Sequence, residues 1–213
     1  MKLVNIHTHK EYFEKNTISV YNAPVNNFDI LESGNIKTLY SAGIHPWDVE
    51  HATEKTLINL RQHLQYKNMI FIGECGLDKS IKTKFDTQLY FFEKQIELSE
   101  HTKKPLIVHC VGYFNEIIRL RKSIVPFQKW IIHGFRGKPQ LASQLLNVGF
   151  GISFGEKFNT ESVAITPIKK LFIETDESNF PVGRIYESVA KIKNCNPEDL
   201  NAGFHLINSQ LDN

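Results

Sequence analysis

The sequence predicts an α/β fold of the (β/α)8 TIM barrel class. Three observations support this: short β-rich runs alternate with helical patterns, eight such runs occur, and polar residues follow their carboxyl ends. Such alternation indicates parallel strands joined by crossover helices. Barrels of this class typically have about 250 residues, whereas this chain has 213. We therefore expect one shortened β/α unit within a single domain spanning residues 1–213.

The strand candidates share a high content of β-branched and aromatic residues. They are Leu3–Thr8, Thr17–Asn22, Thr38–Gly43, Met69–Glu74, Pro105–Cys110, Lys129–His133, Gly149–Ser153 and Lys170–Thr175. The second β/α unit is the shortened one, because residues 10–37 hold a strand and Pro24 but leave little room for a full helix. We expect this unit to be irregular.

Apolar residues at helical spacing predict the later helices. These stripes are Leu57, Leu60 and Leu64, then Leu89, Phe92 and Ile96, then Leu141, Leu145 and Val148. The last helix is predicted to begin with Asn196 as N-cap and Pro197 at its first position. Its apolar face would then consist of Leu200, Phe204, Ile207 and Leu211. We interpret all four stripes as core contacts.

Composition limits the class of protein. Charged residues make up 23% and the net charge is +2, so a nucleic-acid partner is neither required nor excluded. No apolar run approaches the roughly 20 residues of a membrane span, and no secretory signal begins the chain. We expect a cytoplasmic protein with no membrane contact and no obligate protein partner. Cys75, Cys110 and Cys195 are odd in number and lack a Cys-x-x-Cys spacing, which argues against disulfides or a zinc knuckle.

The first strand ends in a pair of histidines. His7 and His9 are two residues apart in a β-rich run, so their side chains point to the same face. Two neighbouring imidazoles can chelate one divalent cation. A chance pair is the alternative, because the chain contains nine histidines.

Polar residues at the ends of other strands favour the metal interpretation. The set consists of His7, His9, His45, Glu74, His109, His133 and Asp176. In a parallel α/β barrel the loops at the carboxyl ends of the strands form the active-site face. Random placement would rarely put five of nine histidines at strand ends. We therefore expect these side chains to converge there.

Each candidate has a structural alternative. Glu74 leaves an apolar run between two glycines, where burial of a carboxylate needs a cation or hydrogen-bond donors; a loop salt bridge is the alternative. His109 and His133 follow apolar runs and could be hydrogen-bonded core residues. Glu174 and Asp176 point the same way, and either could be a ligand or a base. A helix N-cap or an ion pair is the alternative for Asp176, which lies one step beyond the strand.

Seven short motifs at the predicted strand ends follow one another along the chain. They are His7-Thr8-His9, Gly43-Ile44-His45-Pro46, Gly73-Glu74-Cys75-Gly76-Leu77-Asp78, Pro105-Leu106-Ile107-Val108-His109, His133-Gly134-Phe135-Arg136-Gly137, Gly149-Phe150-Gly151-Ile152-Ser153-Phe154 and Glu174-Thr175-Asp176. Taken in this order, they resemble the motifs of the TatD family of metal-dependent hydrolases. The resemblance covers nearly the whole chain. It implies a (β/α)8 hydrolase that cleaves phosphodiester bonds at the ends of DNA with a two-metal centre.

The resemblance also implies a set of metal ligands. It places one divalent ion on His7, His9 and Asp176, and a second on His109 and His133. Mixed histidine and carboxylate ligands suit Zn, Mn, Fe, Ni or Co, whereas sites with mostly carboxylate ligands suit Mg. Composition does not choose among these metals.

A mechanism follows from the same resemblance. Glu74 would bridge two metal ions roughly 3.5–4 Å apart, which lower the pKa of a bound water and stabilise the attacking and leaving oxygens. Asp176 would accept the proton of that water as general base. His45, Arg136 and Lys138 would bind phosphate oxygens of a DNA or other phosphodiester substrate. Tyr113, like Trp47 and Phe154, could stack on bases or simply pack at the rim.

Three residues depart from the family pattern. Asn5 stands where an aspartate is usual; it shares a face with His7 and could orient it without a negative charge. Val111 stands where an arginine is common, two residues after His109. Arg136 stands where a small hydroxyl residue is usual, so the phosphate-binding arginine could have moved to this loop.

Two other functions remain open. A metal-dependent amidohydrolase that cuts C–N bonds also begins with His-x-His, but such enzymes often bridge their metals with a carboxylated lysine, where this chain has Glu74. A non-catalytic barrel that binds nucleic acid is the second alternative, because fold does not determine function. The complete ligand set argues against it.

Overall fold

Strands and helices alternate through the part of the chain that the computed structural model describes, residues 2–10, 14–25 and 38–212. The strands are β1 (Leu3–Thr8), β2 (Thr17–Ala23), β3 (Leu39–Ala42), β4 (Met69–Asp78), β5 (Leu106–Val111), β6 (Trp130–Ile132), β7 (Gly151–Phe154) and β8 (Leu171–Ile173). The α-helices are α1 (Glu54–His63), α2 (Phe85–Thr102), α3 (Phe114–Ile124), α4 (Pro139–Asn147), α5 (Thr160–Ile165), α6 (Val182–Lys193) and α7 (Ala202–Leu211). This order of parallel strands and helices confirms the predicted (β/α)8 class.

The chain forms two compact units. The terminal unit contains Met1–Tyr21 and Ile131–Asn213, and the central unit contains Asn22–Trp130. The two boundaries fall within β2 and β6, and each unit has its own buried residues and its own set of candidate ligands.

Parallel pairing in the terminal unit brings the last strand beside the first. β1 pairs with β2 from Leu3 opposite Thr17, and β7 pairs with both β6 and β8. Beyond β8, Asp176 forms a parallel bridge with Thr8. The order is therefore β6-β7-β8-β1-β2. Helix α7 packs closely on β1, since a Cβ atom added to Gly203 would lie 2.9 Å from Val4 Cγ1.

The central unit is organised around β4, all of whose residues are buried. β4 pairs in parallel with β3 on one side and with β5 on the other. Helix α2 packs against β4 and buries Phe92 and Ile96 of the predicted apolar stripe. The stripe on α1 and the turn after it, Leu57, Leu60 and Leu64, is buried as well.

Two element boundaries differ from the prediction by more than two residues. β4 continues through Asp78 instead of ending at Glu74, because its pairing with β5 shifts register after Ile72 and resumes from Cys75 onwards. The last helix does not begin at Pro197. Pro197–Asp199 is a 3-10 turn with a reciprocal Asn196–Asp199 capping box, and α7 begins at Ala202.

The predicted apolar face of the last helix is also partly wrong. Leu206 and Ile207 are buried on α7, whereas Leu211 is exposed. Leu200 is buried but precedes the helix, because its backbone leaves the helical region with ψ of 63°. Because the helix begins at Ala202 and not at Pro197, its buried face consists of different residues from those predicted.

Part of the predicted irregular second unit lies outside the described residues, which omit 11–13 and 26–37. That expectation stays a prediction. None of the helices in the described ranges is long and apolar enough to span a membrane.

We expect Tyr186→Phe to lower the free energy of unfolding by about 1–3 kcal/mol. The buried Tyr186 hydroxyl on α6 donates to Val4 O at 2.9 Å and accepts from Val4 N at 3.1 Å, tying the helix to β1. Burial raises the pKa of this hydroxyl to about 12. Urea denaturation measures the loss, with Tyr66→Phe at an exposed tyrosine as control. Equal stability of the two variants would contradict the importance of this link.

Candidate functional site

In the terminal unit an aspartate faces two histidines at the carboxyl end of β1. His7 lies in β1 and His9 directly follows it, and their ring centroids are 4.9 Å apart. Asp176 Oδ1 lies 3.7 Å from His7 Nε2 and 3.6 Å from His9 Nε2. His7 is buried, whereas the Asp176 side chain is 30% exposed. Two imidazole nitrogens and one carboxylate therefore meet where solvent can enter.

The backbone holds Asp176 in this position. Asp176 N donates to His7 O at 3.1 Å, and His9 N donates to Asp176 O at 3.2 Å. The φ angle of Asp176 is 54°, in the left-handed region that Asp and Asn adopt more readily than other non-glycine residues. Next to it, Thr175 N donates to Asn5 Oδ1 and Thr175 Oγ1 accepts from Asn5 Nδ2. The unusual Asn5 therefore fixes the segment that carries Asp176.

A buried glutamate orients the third histidine of this unit. His133 directly follows β6, and its ring centroid lies 4.8 Å from that of His7. Glu174 Oε1 accepts from Gly134 N at 2.6 Å and lies 3.3 Å from His133 Nδ1. Burial alone would raise the pKa of Glu174, but the hydrogen bond and charge of His133 and the charge of His7 outweigh it and lower the pKa. The ionised Glu174 carboxylate thus faces His133 Nδ1 and orients the His133 ring.

A cavity of about 270 Å³ lies beside Asp176 in the terminal unit. Arg136 and Lys157 line it together with Asp176, and both cations are exposed. Sequence reasoning selected Arg136 but missed Lys157, because this lysine belongs to no motif and to no periodic pattern. Three further carboxylates, those of Glu156, Glu174 and Glu177, also line the cavity. A phosphate that approaches Asp176 there therefore needs the positive charge of Arg136 and Lys157.

The central unit contains a second group of candidate ligands. Glu74 Oε1 lies 3.2 Å from His45 Nε2 and 2.7 Å from His109 Nδ1. Gly73 and Gly76 on either side of Glu74 have positive φ, and Cβ atoms there would lie 2.4 Å and 2.0 Å from carbonyl oxygens of β5. The two glycines therefore let β4 approach β5 closely enough to bring Glu74 against His109.

Asp78 completes this group, and sequence reasoning did not assign it a role. Its Oδ2 lies 3.0 Å from His109 Nε2 and accepts from Trp47 Nε1 at 2.9 Å. Burial would raise the pKa of Asp78, but hydrogen bonds from Ser80, Trp47 and His109 outweigh it and lower the pKa to about 2. Asp78 is the last residue of β4, a position that indicates a role at the site. Because the strand was predicted to end at Glu74, this position was not recognised.

The loop after β3 determines which nitrogen of His45 carries the proton. Trp47 N donates to His45 Nδ1 at 3.2 Å, so neutral His45 has its proton on Nε2. Gln95, buried on α2, anchors the preceding residue by bonding both the amide and the carbonyl of Ile44. His45 Nε2 is therefore a positioned donor, which matches the phosphate-binding role predicted for it better than a ligand role.

The group around Asp176 fits a divalent cation by its geometry. Ligand atoms about 2.0–2.2 Å from one cation lie about 3–4.4 Å from each other. The nitrogen-to-carboxylate distances of 3.6 and 3.7 Å around Asp176 fall in this range, and candidate atoms of His7, His133 and Asp176 all lie within 4.8 Å.

Tautomers give a second test of fit in the central unit. If His109 donates its Nε2 proton to the ionised Asp78, its Nδ1 lone pair faces Glu74 Oε1 only 2.7 Å away. The protonated Nε2 of His45 lies 3.3 Å from His109 Nδ1 and 3.2 Å from Glu74 Oε1, and a metal ion bound between the two lone pairs would satisfy them more fully. A carboxylate that fixes the tautomer of a histidine ligand is the usual arrangement at metal sites.

The sequence-predicted residues thus gather in two groups. His7, His9, His133 and Asp176 lie together in the terminal unit, and His45, Glu74 and His109 lie together in the central unit. The bridging role of Glu74 and the pairing of His109 with His133 on one ion stay predictions. Val111, at the departure from the family pattern, is exposed at the end of β5.

A sequence model of the family described as TatD related DNase matches residues 6–203. The chain belongs to this family. The match includes every candidate ligand in both groups. The TatD resemblance predicted from the seven motifs is thereby confirmed.

Relatives of the chain within the TatD family include proteins from two bacteria. An uncharacterized metal-dependent hydrolase of Haemophilus influenzae is 28% identical over 67% of this chain and 60% of its own length. A protein of Erwinia tasmaniensis named 3'-5' ssDNA/RNA exonuclease TatD is 30% identical over 64% of this chain and 56% of its own length. The chain thus spans about three fifths of the length of these relatives.

A solved structure shows the fold independently of the sequence motifs. The crystal structure of YjjV, a TatD homologue from Escherichia coli, matches 98% of this chain and 96% of that chain with a TM-score of 0.80. Sequence identity across the match is 18%. The TatD-type TIM barrel is therefore the fold of this chain.

Proposed function

We propose that this TatD family protein hydrolyses phosphodiester bonds of nucleic acid with the help of two divalent cations. The observation that supports this most is the pair of histidine–carboxylate groups, each with a buried carboxylate that orients a histidine ligand. The Erwinia relative is named as a nuclease of single-stranded DNA and RNA, which supports single-stranded nucleic acid as the substrate class. Attack at the ends of DNA, predicted from the sequence, belongs to the same proposal.

The ligands would come from both groups. His7, His9, His133 and Asp176 serve in the terminal unit, and Glu74 and His109 serve in the central unit. Bound divalent cations would lower the pKa of a coordinated water and would stabilise negative charge that develops on the phosphate oxygens. Zn, Mn, Mg, Ni and Co all remain candidates, because nitrogen and oxygen donors of this kind accept each of them.

The protein's own residues would carry out proton transfer and substrate binding. Asp176, whose side chain is partly exposed, accepts the proton of the attacking water as general base. His45 donates its Nε2 proton to a phosphate oxygen, since Trp47 N occupies its Nδ1. Arg136 and Lys157 bind further phosphate oxygens at the cavity beside Asp176.

A time course with end-labelled single-stranded DNA tests the proposal. The protein is incubated with Mg, Mn, Zn or a chelator, and product lengths are resolved on a sequencing gel. We expect metal-dependent shortening that the chelator abolishes, and labels at the two ends in separate reactions report the direction of attack. The same assay with RNA separates the two nucleic acids.

Failure to shorten either nucleic acid with any metal would overturn the proposal. Binding without turnover would favour the non-catalytic barrel. Hydrolysis of small amides but not of phosphodiesters would favour the amidohydrolase alternative.

A further inference from the structure

Trp47 is a large aromatic residue that is exposed and yet fixed in place. It is 64% exposed, in the loop that carries His45. Its Nε1 donates to Asp78 Oδ2 at 2.9 Å, and its ring meets that of His45 at an interplanar angle of 87° with centroids 5.1 Å apart. Most of the Trp47 ring surface is therefore in contact with water. The hydrogen bond to Asp78 nevertheless restricts the rotation of the side chain. Such a ring loses little conformational entropy when a ligand covers it.

The contacts of Trp47 connect it to the candidate ligands of the central unit. Asp78 Oδ2, the acceptor for the indole, also lies 3.0 Å from His109 Nε2. The backbone N of Trp47 fixes the tautomer of His45. The ring therefore stands beside the residues proposed to hold a metal ion and a phosphate, at a distance set by hydrogen bonds.

Two other aromatic candidates for base stacking do not offer a comparable face. Phe154 is fully buried and packs against Phe135 and Phe158. Tyr113 packs on Phe85 with ring centroids 5.0 Å apart. The stacking hypothesis drawn from the sequence therefore narrows to Trp47.

The charge of the neighbouring loop favours a polyanionic ligand over a neutral aromatic one. Lys79, Lys82 and Lys84 are exposed in the segment after β4, at the same ends of the strands as Trp47. Single-stranded nucleic acid is bound by this combination of cations along the backbone and aromatic rings under the bases.

We propose that Trp47 is the base-stacking platform of this protein, binding the nucleobase next to the phosphodiester that enters the site. The proposal rests on the proposed function, because it takes single-stranded nucleic acid as the ligand. Stacking on Trp47 would accept any base, because every base has an aromatic face. It would select single strands over duplexes, because the base faces of a single strand are accessible. The indole contributes affinity, while the groups around it position the phosphate.

Fluorescence tests the platform without any need for catalysis. The chain has two tryptophans, and Trp130 is fully buried, so a stacked base should quench Trp47 alone. The probe is a short phosphorothioate oligothymidylate, which resists hydrolysis, titrated into the protein with Mg present. We expect saturable quenching in the wild type. An oligonucleotide of the same length that carries only abasic sugars should bind more weakly and leave the emission unchanged.

Two substitutions separate stacking from the hydrogen bond to Asp78. Trp47→Leu removes both, and we expect it to weaken oligothymidylate binding roughly 5- to 150-fold, the range for one stacked base. Trp47→Phe keeps an aromatic face without the N–H, so it should recover most of the affinity. Phe127→Leu, at a residue that is 96% exposed in the segment leading into β6, is the matched control and should bind like the wild type. Anisotropy of a labelled oligothymidylate measures affinity, and circular dichroism confirms folding.

The outcomes distinguish this proposal from the proposed function. Binding without quenching, or equal losses in Trp47→Phe and Trp47→Leu, would overturn the platform even if the protein cleaves DNA. Quenched binding by a protein that cleaves nothing would support the platform and overturn the nuclease. Absence of binding to the wild type would overturn both.

Discussion

We expect Asp176→Asn to lower the rate of nucleic-acid cleavage by about 10²- to 10⁴-fold, the contribution of a positioned general base, while the protein remains folded. The Asp176 carboxylate lies within 3.7 Å of nitrogens of both His7 and His9 and is partly exposed. An amide in its place neither accepts a proton from water nor balances the charge of a cation. Asparagine tolerates the left-handed backbone at φ 54° as aspartate does, so the bridge to Thr8 persists. Single-turnover cleavage of end-labelled DNA measures the effect.

The control for this variant is Asp212→Asn, the same chemical change at the end of α7 in the same unit. Asp212 is exposed and belongs to neither candidate group. We expect its cleavage rate to equal that of the wild type. A full rate in Asp176→Asn, with both variants folded by circular dichroism, would refute the base assignment.

Several side chains selected from the sequence lie together at strand ends in each unit. The alternation of His7 and His9 and the position of Asp176 beyond β8 follow from the period of two and from the rule that active-site loops lie at carboxyl ends. The positions of these side chains depend on which residues form strands and not on how the strands pair with one another.

Residues that orient the ligands were harder to predict, because their roles depend on register and on side-chain depth. The role of Asp78 depends on the continuation of β4 past Glu74, which was not predicted. Lys157 reaches the cavity through a loop conformation that no periodic pattern records. Asn5 bonds to Thr175, which is 170 residues away in the chain. Contacts of this kind follow from the closed arrangement of β8 beside β1, not from local sequence.

Glu174→Gln should weaken metal binding by about 10- to 100-fold, the usual cost of losing a carboxylate behind a histidine ligand. Glu174 is fully buried, and its ionised Oε1 faces His133 Nδ1 at 3.3 Å. Glutamine keeps the shape and can still accept from Gly134 N, so the loop should stay in place. It removes the negative charge that fixes the tautomer of His133 and makes this ring a better ligand. Isothermal titration of the metal-free protein with Mn measures the change.

The metal dependence of activity distinguishes this positioning role from a direct catalytic one. Because Glu174 acts through His133, excess metal should restore most of the activity of Glu174→Gln, whereas it should not restore that of Asp176→Asn. Glu161→Gln, at an exposed residue of α5, is the matched control and should bind metal like the wild type. If excess metal rescues neither variant although Mn binds Glu174→Gln normally, then Glu174 does not act by holding His133, and its buried charge must serve the reaction directly.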